Sequence, residues 1–177
     1  MRAALLTACL LTVLAGAAAA QPKPAPHEVS PVTIYPARGH PKVMATFPAA
    51  GQAIAGGVLI LTVTFDQEMS PNGFDLKAAA GGEAPPCLKI PRLLDDGKTF
   101  AWLCTTRPSK NYQLELNSSA QGGFTNMAEE RAETSTLAFT TTTAPDGPSN
   151  IQDAVKQAGL KAFEIPVQET PGLPAIP

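Results

Sequence analysis

Histidine, cysteine and charge are all scarce in this chain: 177 residues hold two histidines, three cysteines and 16% charged side chains. Both histidines, His27 and His40, stand in a proline-rich stretch near the start. A Ser-His-Asp or Cys-His arrangement must draw its base from one of them, and neither falls on a recognisable strand end or loop of a folded module. The same scarcity leaves no His, Cys, Asp and Glu cluster at metal-ligand spacing. Met44, Met69 and Met127 are scattered, which disfavours a copper site, and no calcium-type carboxylate loop surrounds Asp66, Glu68 or Asp95-Asp96. The absence of a glycine-rich phosphate loop removes nucleotide chemistry. With a net charge of −2 and no basic run, the composition recommends neither nucleic acid nor an anionic membrane as partner. We therefore expect a protein that is not an enzyme and carries no cofactor.

What is present begins with Met1-Arg2, an apolar run from Ala3 to Leu14, and Ala18-Ala19-Ala20 before Gln21-Pro22. This is the pattern of a secretory signal peptide over 1–20, too short for a membrane span, and it predicts an exported protein, periplasmic or extracellular. Leu6-Thr7-Ala8-Cys9 also fits a short lipobox, but its apolar run is shorter than such a leader normally carries. Removal of 1–20 takes away Arg2 and leaves the remainder one charge more negative. It also leaves two cysteines, Cys87 and Cys104, in an oxidising compartment, where a disulfide is the leading reading over two buried thiols. Leu94-Asp95-Asp96-Gly97 lies midway between them. A hairpin closed by Asp95 and Asp96 would set Cys87 opposite Cys104, and a one-residue bulge at Gly97 would spoil that pairing.

Eighteen prolines divide the rest. Residues 21–41 form a Pro-rich lead-in, with Val32-Thr33-Ile34-Tyr35 as a possible edge strand. Strand signals then recur at Val43 to Phe47, Val58 to Phe65, Phe74 to Ala78, Cys87 to Leu93, Lys98 to Thr105, Tyr112 to Asn117 and Thr136 to Thr142. Short strands separated by Gly, Pro, Asn and Asp predict an all-β antiparallel sandwich. Alternation places Leu59, Leu61, Val63 and Phe65 inward, together with Phe100, Trp102 and Cys104, with Tyr112, Leu114 and Leu116, and with Leu137 and Phe139. Thr62 and Thr64 fall on the opposite face. From Ala144 to Pro177 runs a Pro-rich tail in which Ser149 or Asn150 can cap a short helix bearing Ile151, Ala154, Val155 and Ala158 on one side. That stripe is too narrow to hold a free helix in water, so the tail docks on a partner or lightly on the sandwich, or stays solvated. Phe163, Ile165 and Val167 alternate in a way that suits an exposed strand edge.

Four segments together resemble the bacterial Ig-like domain of the SbsA type: Thr46-Phe47-Pro48-Ala49-Ala50-Gly51, Val63-Thr64-Phe65-Asp66-Gln67-Glu68-Met69, Arg107-Pro108-Ser109-Lys110-Asn111-Tyr112-Gln113-Leu114, and Leu137-Ala138-Phe139-Thr140-Thr141. The resemblance spans 42–143 and implies an immunoglobulin-like sandwich of about seven strands, in a secreted or cell-envelope protein. Phe124-Thr125-Asn126 matches the family's aromatic-Asx stretch, whereas Glu129-Glu130 stands where a glycine-containing turn is usual. Phe65, Trp102, Tyr112 and Phe139 are expected to be structural. Tyr112, after a Pro-containing crossover, suits either a tyrosine corner or an ordinary place at the core's edge.

Three functions are compatible with this reading. The first is a non-catalytic binding or scaffolding module that meets an envelope protein or a polymer. The second is a periplasmic carrier of a small ligand or a copper-type metal. The third, a hydrolase whose residues converge only in space, would need a pocket that brings His27 or His40 to a serine or carboxylate.

Overall fold

The run Val58-Leu59-Ile60-Leu61 is apolar on both parities, and both are buried. In the computed structural model, which describes residues 38–144 and 146–161, the chain forms β1 (Val43–Phe47), β2 (Ala53–Ile54), β3 (Gly57–Phe65), β4 (Leu76–Ala78), β5 (Arg92–Leu93), β6 (Thr99–Thr106), β7 (Asn111–Leu116), β8 (Ser135–Thr141) and α1 (Ile151–Gln157). The expected signal peptide, His27, the segment 32–35 and the tail beyond Lys161 lie outside the described residues.

The strands make two four-stranded sheets, in the orders β1-β3-β6-β5 and β2-β8-β7-β4. All neighbours are antiparallel except β2 and β8, which run parallel. With β1 as strand A, β2 as a detached second half of A, and β3 to β8 as B to G, one sheet reads A-B-E-D, and the other carries C, F and G. This is the order of an immunoglobulin-like sandwich. Each of the seven strands expected between Val43 and Thr142 has a counterpart. The expected Phe74 to Ala78 strand is shorter, at Leu76–Ala78, and the Cys87 to Leu93 strand contracts to β5 plus a single bridge at Cys87. β2 is additional. Two residues carry no alternation to read, and Ala53-Ile54 is a strand only because Thr140 and Thr141 offer it a partner.

Leu59, Leu61, Val63 and Phe65 face Tyr112, Leu114, Leu116, Leu137 and Phe139 across the sandwich in one apolar core. Phe124, from the long β7–β8 connection, closes one end of it. Its ring centroid lies 5.1 Å from Phe65, 5.0 Å from Phe100 and 6.0 Å from Trp102, in tilted and edge-on contacts.

On the outer face of the first sheet, Val58, Ile60, Leu94 and Ala101 pack beneath Ala154 and Val155 of α1. Thr62, also on that face, is buried as well. Of the surfaces open to the tail, the helix takes the sandwich itself. Asn150 is the N-cap: its Oδ1 accepts from Asp153 N at 2.9 Å, and its Nδ2 donates to Asp153 Oδ2 at 2.8 Å. Gly159 at φ +70° ends the helix, with Leu160 N reaching back to Val155 O. The approach to α1 is tight. Val58 N donates to Pro148 O at 2.8 Å, and a Cβ on Gly147 would stand 1.7 Å from Gly56 O, so only glycine fits there. A seven-residue helix does not persist alone in water; the apolar sheet face beneath it supplies the order.

Candidate functional site

One side of the sandwich is left open. β6 and β7 run for eight and six residues, but the edge strands beside them, β5 and β4, have only two and three. The sequence between those edges explains the shortfall: Gly81-Gly82, Pro85-Pro86 and Pro91 interrupt any ladder that would bring the two sheet edges together. The result is a cleft of about 340 Å³ between the edges, lined by Phe74, Leu76, Ala84, Leu88 and Leu114, with Trp102 and Cys87 in its wall and Lys89 beside it. Two of its large apolar lining side chains are left in solvent: Phe74 is 37% exposed and Leu88 55%.

Cys87 and Cys104 are joined in the wall of this cleft, with their Sγ atoms 1.97 Å apart. Leu88 N donates to Leu103 O at 2.9 Å and Thr105 N to Pro86 O at 2.9 Å. The cysteines are therefore a directly opposed pair flanked by ladder bonds, the register in which cross-strand side chains come closest. The hairpin reaches this pairing by a different route from the sequence expectation. Leu94, not Asp95, closes the loop, bonding Thr99 O at 2.8 Å, and Gly97 at φ +66° turns the chain. The register at Leu93–Phe100 is thus displaced by two residues from a closure at Asp95-Asp96. The irregular stretch 88–91 absorbs those two residues before Cys87. A displacement of two preserves the facing of side chains, so both cysteines still point inward.

Asp96 organises the loop. Its Oδ1 accepts from Lys98 N at 2.8 Å and Thr99 N at 2.9 Å, and its Oδ2 from Thr99 Oγ1 at 2.6 Å. Burial raises its pKa, but the Thr99 hydroxyl, the two amides and the Lys98 charge together outweigh it and hold the carboxyl below its ordinary value.

Phe65, Trp102, Tyr112 and Phe139 are all buried. Phe65 and Phe100 meet edge-on at 6.1 Å, Tyr112 and Phe139 pack at 5.2 Å, and Trp102 spans from the core to the cleft. Arg107 N donates to Tyr112 Oη at 2.9 Å, which ties the β6–β7 crossover to the start of β7 in the geometry of a tyrosine corner.

The burial of three polar residues, Asn117, Asn126 and Gln67, has no counterpart in the sequence reading. Asn117, at φ +60°, accepts from Phe124 N at 2.9 Å through Oδ1 and donates through Nδ2 to Ala132 O. Asn126 Oδ1 accepts from Ala128 N and Glu130 N, both at 2.9 Å, and its Nδ2 donates to Gln67 Oε1 at 3.1 Å. Asn126 thereby fixes the turn at Glu129, which adopts φ +63°. The turn keeps the backbone form that glycine would favour, with Glu129 in the position. The Asx type at 126 was legible; its burial was not.

His40 is occupied structurally, its Nδ1 bonding Arg131 O at 2.8 Å. Met69 is in the core, whereas Met44 and Met127 are exposed. Among the described residues no group of three His, Cys, Asp or Glu side chains is placed to hold a metal, and no helix is long and apolar enough to cross a membrane.

No family model matches the chain, and no curated protein matches it. Among solved structures the chain is similar to the S-layer protein rSbsC(31-844), with 22% identity and a TM-score of 0.39 over 59% of this chain. It spans 14% of that protein's length, and the sandwich here is assigned from its own strand order and core.

Proposed function

We propose that this chain is an exported, non-catalytic immunoglobulin-like module of the SbsA type, acting as a binding or scaffolding unit of the bacterial cell envelope. Its open edge would receive an extended segment of an envelope protein or polymer. The observation that carries this reading is the cleft between β4 and β5, with the exposed apolar side chains Phe74 and Leu88 in its lining. Isolated exposed apolar residues are ordinary on a protein surface, but a cluster around a concave opening is the form of a recognition site. The disulfide supports export, because such bonds persist in oxidising compartments.

Trp102 supplies the test. It is the sole tryptophan and it lines the cleft, so its emission reports what enters. Titration of the purified mature protein with solubilised envelope fractions should shift Trp102 emission, and Leu88→Asp should abolish the shift at unchanged melting temperature. An equal shift with Leu88→Asp would reject the cleft as the site.

A second reading, a periplasmic carrier of a small apolar ligand, is favoured by the cleft volume, which lies at the lower end of ligand pockets. It predicts saturable Trp102 quenching by a small hydrophobic compound without any protein partner. The copper-type version predicts stoichiometric heat in a calorimetric metal titration.

A further inference from the structure

We propose that the cleft recognises an extended acidic peptide, in which an apolar side chain seated in the cleft is followed by a carboxylate that pairs with Lys89. This rests on the proposed function, which makes the cleft a binding site, and adds the chemistry of its occupant.

Charge singles out the acidic class. Lys89 is the only ionisable side chain in the lining of the cleft, since Cys87 is bound in the disulfide. It is exposed, and among the described residues it has no ion pair. The carboxylates that flank lining residues in sequence are engaged elsewhere: Glu83 pairs with Lys110 Nζ at 2.9 Å, and Asp75 Oδ2 accepts from Ser119 N at 2.7 Å. A lysine beside an apolar surface lays its methylenes along that surface and keeps its ammonium in water. At the rim of the cleft, such an ammonium selects a carboxylate over a neutral or cationic group and sets preference more than affinity.

The backbone singles out a peptide. Cys87 and Cys104 form an isolated bridge, with Leu88 N donating to Leu103 O and Thr105 N to Pro86 O. In that pattern the N–H and C=O of Cys87 itself face away from β6, toward the open side. Neither has a backbone partner among the described residues. A donor and an acceptor on the same residue match a single residue of an extended peptide, which can exchange both bonds with it. A fatty carboxylate could meet Lys89 but has no donor for the Cys87 C=O. Side chains of an extended peptide also alternate in direction, so an apolar residue turned toward Phe74 and Leu88 leaves the next residue at the rim, within the range of the Lys89 ammonium.

The test titrates the purified mature protein with three blocked peptides, Gly-Leu-X-Leu-X-Gly, in which X is glutamate, glutamine or lysine. Trp102 emission reports entry into the cleft, and hydrogen exchange by NMR reports the Cys87 amide. The glutamate peptide should bind roughly two- to fivefold more tightly than the glutamine peptide, with the lysine peptide weakest. Added salt should shrink the difference. Lys89→Glu should reverse the order while the glutamine peptide keeps its affinity, which reports an intact cleft. At saturation the Cys87 amide should exchange at least about fivefold more slowly, while the Leu88 amide, already bonded to Leu103, is unchanged. Equal binding of the three peptides, or an order that survives Lys89→Glu, would overturn the acidic preference. Binding without slowed Cys87 exchange would overturn the backbone pairing. A response to decanoate with none to any peptide would assign the cleft to a small anionic amphiphile and overturn the proposal. A response to envelope fractions with none to the peptides would overturn the proposal and leave the cleft as the site, whereas no response to either would reject both.

Discussion

Replacing Asn117 tests how a single buried polar residue holds the long β7–β8 connection to the sandwich. Asn117→Ala removes the acceptor for Phe124 N–H and the donor for Ala132 C=O, both of which sit against the core. Each buried backbone group left without a partner costs about 1–3 kcal/mol. Alanine must also adopt φ +60°, which costs roughly a further 1 kcal/mol or slightly more. The expected loss is about 3–7 kcal/mol, which at roughly 2–4 °C per kcal/mol for a chain of this size lowers the melting temperature by at least about 6 °C. Asn117→Gly separates the contributions: it loses the same hydrogen bonds but accepts the left-handed backbone freely, so it should be more stable than the alanine variant by about 1 kcal/mol. Asn117→Asp keeps an acceptor and loses the donor, and its stability relative to the unaltered protein should recover on acidification, when the carboxyl regains a proton to donate. Urea unfolding followed by Trp102 fluorescence gives midpoint and slope for each variant. An alanine variant within about 1 kcal/mol of the unaltered protein, or one more stable than the glycine variant, would refute this account of Asn117.

Three further outcomes are expected. Protein isolated without reductant should show no free thiol under denaturing conditions, and C87A/C104A should lose about 3 kcal/mol, as for closure of a loop of this length; two titratable thiols in unreduced material would refute the bridge. Glu129→Gly should stabilise by roughly 0.5–1 kcal/mol, because the position holds φ +63° and a glycine there relieves the side chain's steric cost; a measured destabilisation in thermal unfolding would show that the glutamate makes a compensating contact. For Asp96 the folded pKa lies below the ordinary 3.8, so its contribution is present above that value and is lost as pH falls through the folded pKa; Asp96→Asn should flatten this acid-side decline in unfolding midpoint, and an unchanged pH profile would show that the carboxylate's hydrogen bonds carry no differential stability.

The sequence by itself determined the strands with strong alternation and their inward faces. Leu59, Leu61, Val63, Phe65, Phe100, Trp102 and Tyr112 announce their side by a period of two, a local property of the pleated backbone. The facing of Cys87 toward Cys104 was legible for the same reason, even though the register near the turn was not: a displacement of two residues leaves parity intact. Asn150 as cap and the apolar side of α1 were likewise local signals. Only the tertiary structure decided the rest. Val58, Ile60 and Ala101 are buried on the outer face because α1 happens to lie there, and nothing within β3 or β6 specifies what covers its second side. β2 exists through its parallel partner alone. The sequence placed Asn117 at the end of a strand and Asn126 in an aromatic-Asx stretch, but their burial depends on Phe124 and Ala132, and on Gln67 and Gly39, being brought to meet them. The cleft is of the same kind. The Gly and Pro residues between β4 and β5 make both strands short, but that these strands form the edges of opposite sheets on one side of the sandwich is set only by the tertiary arrangement.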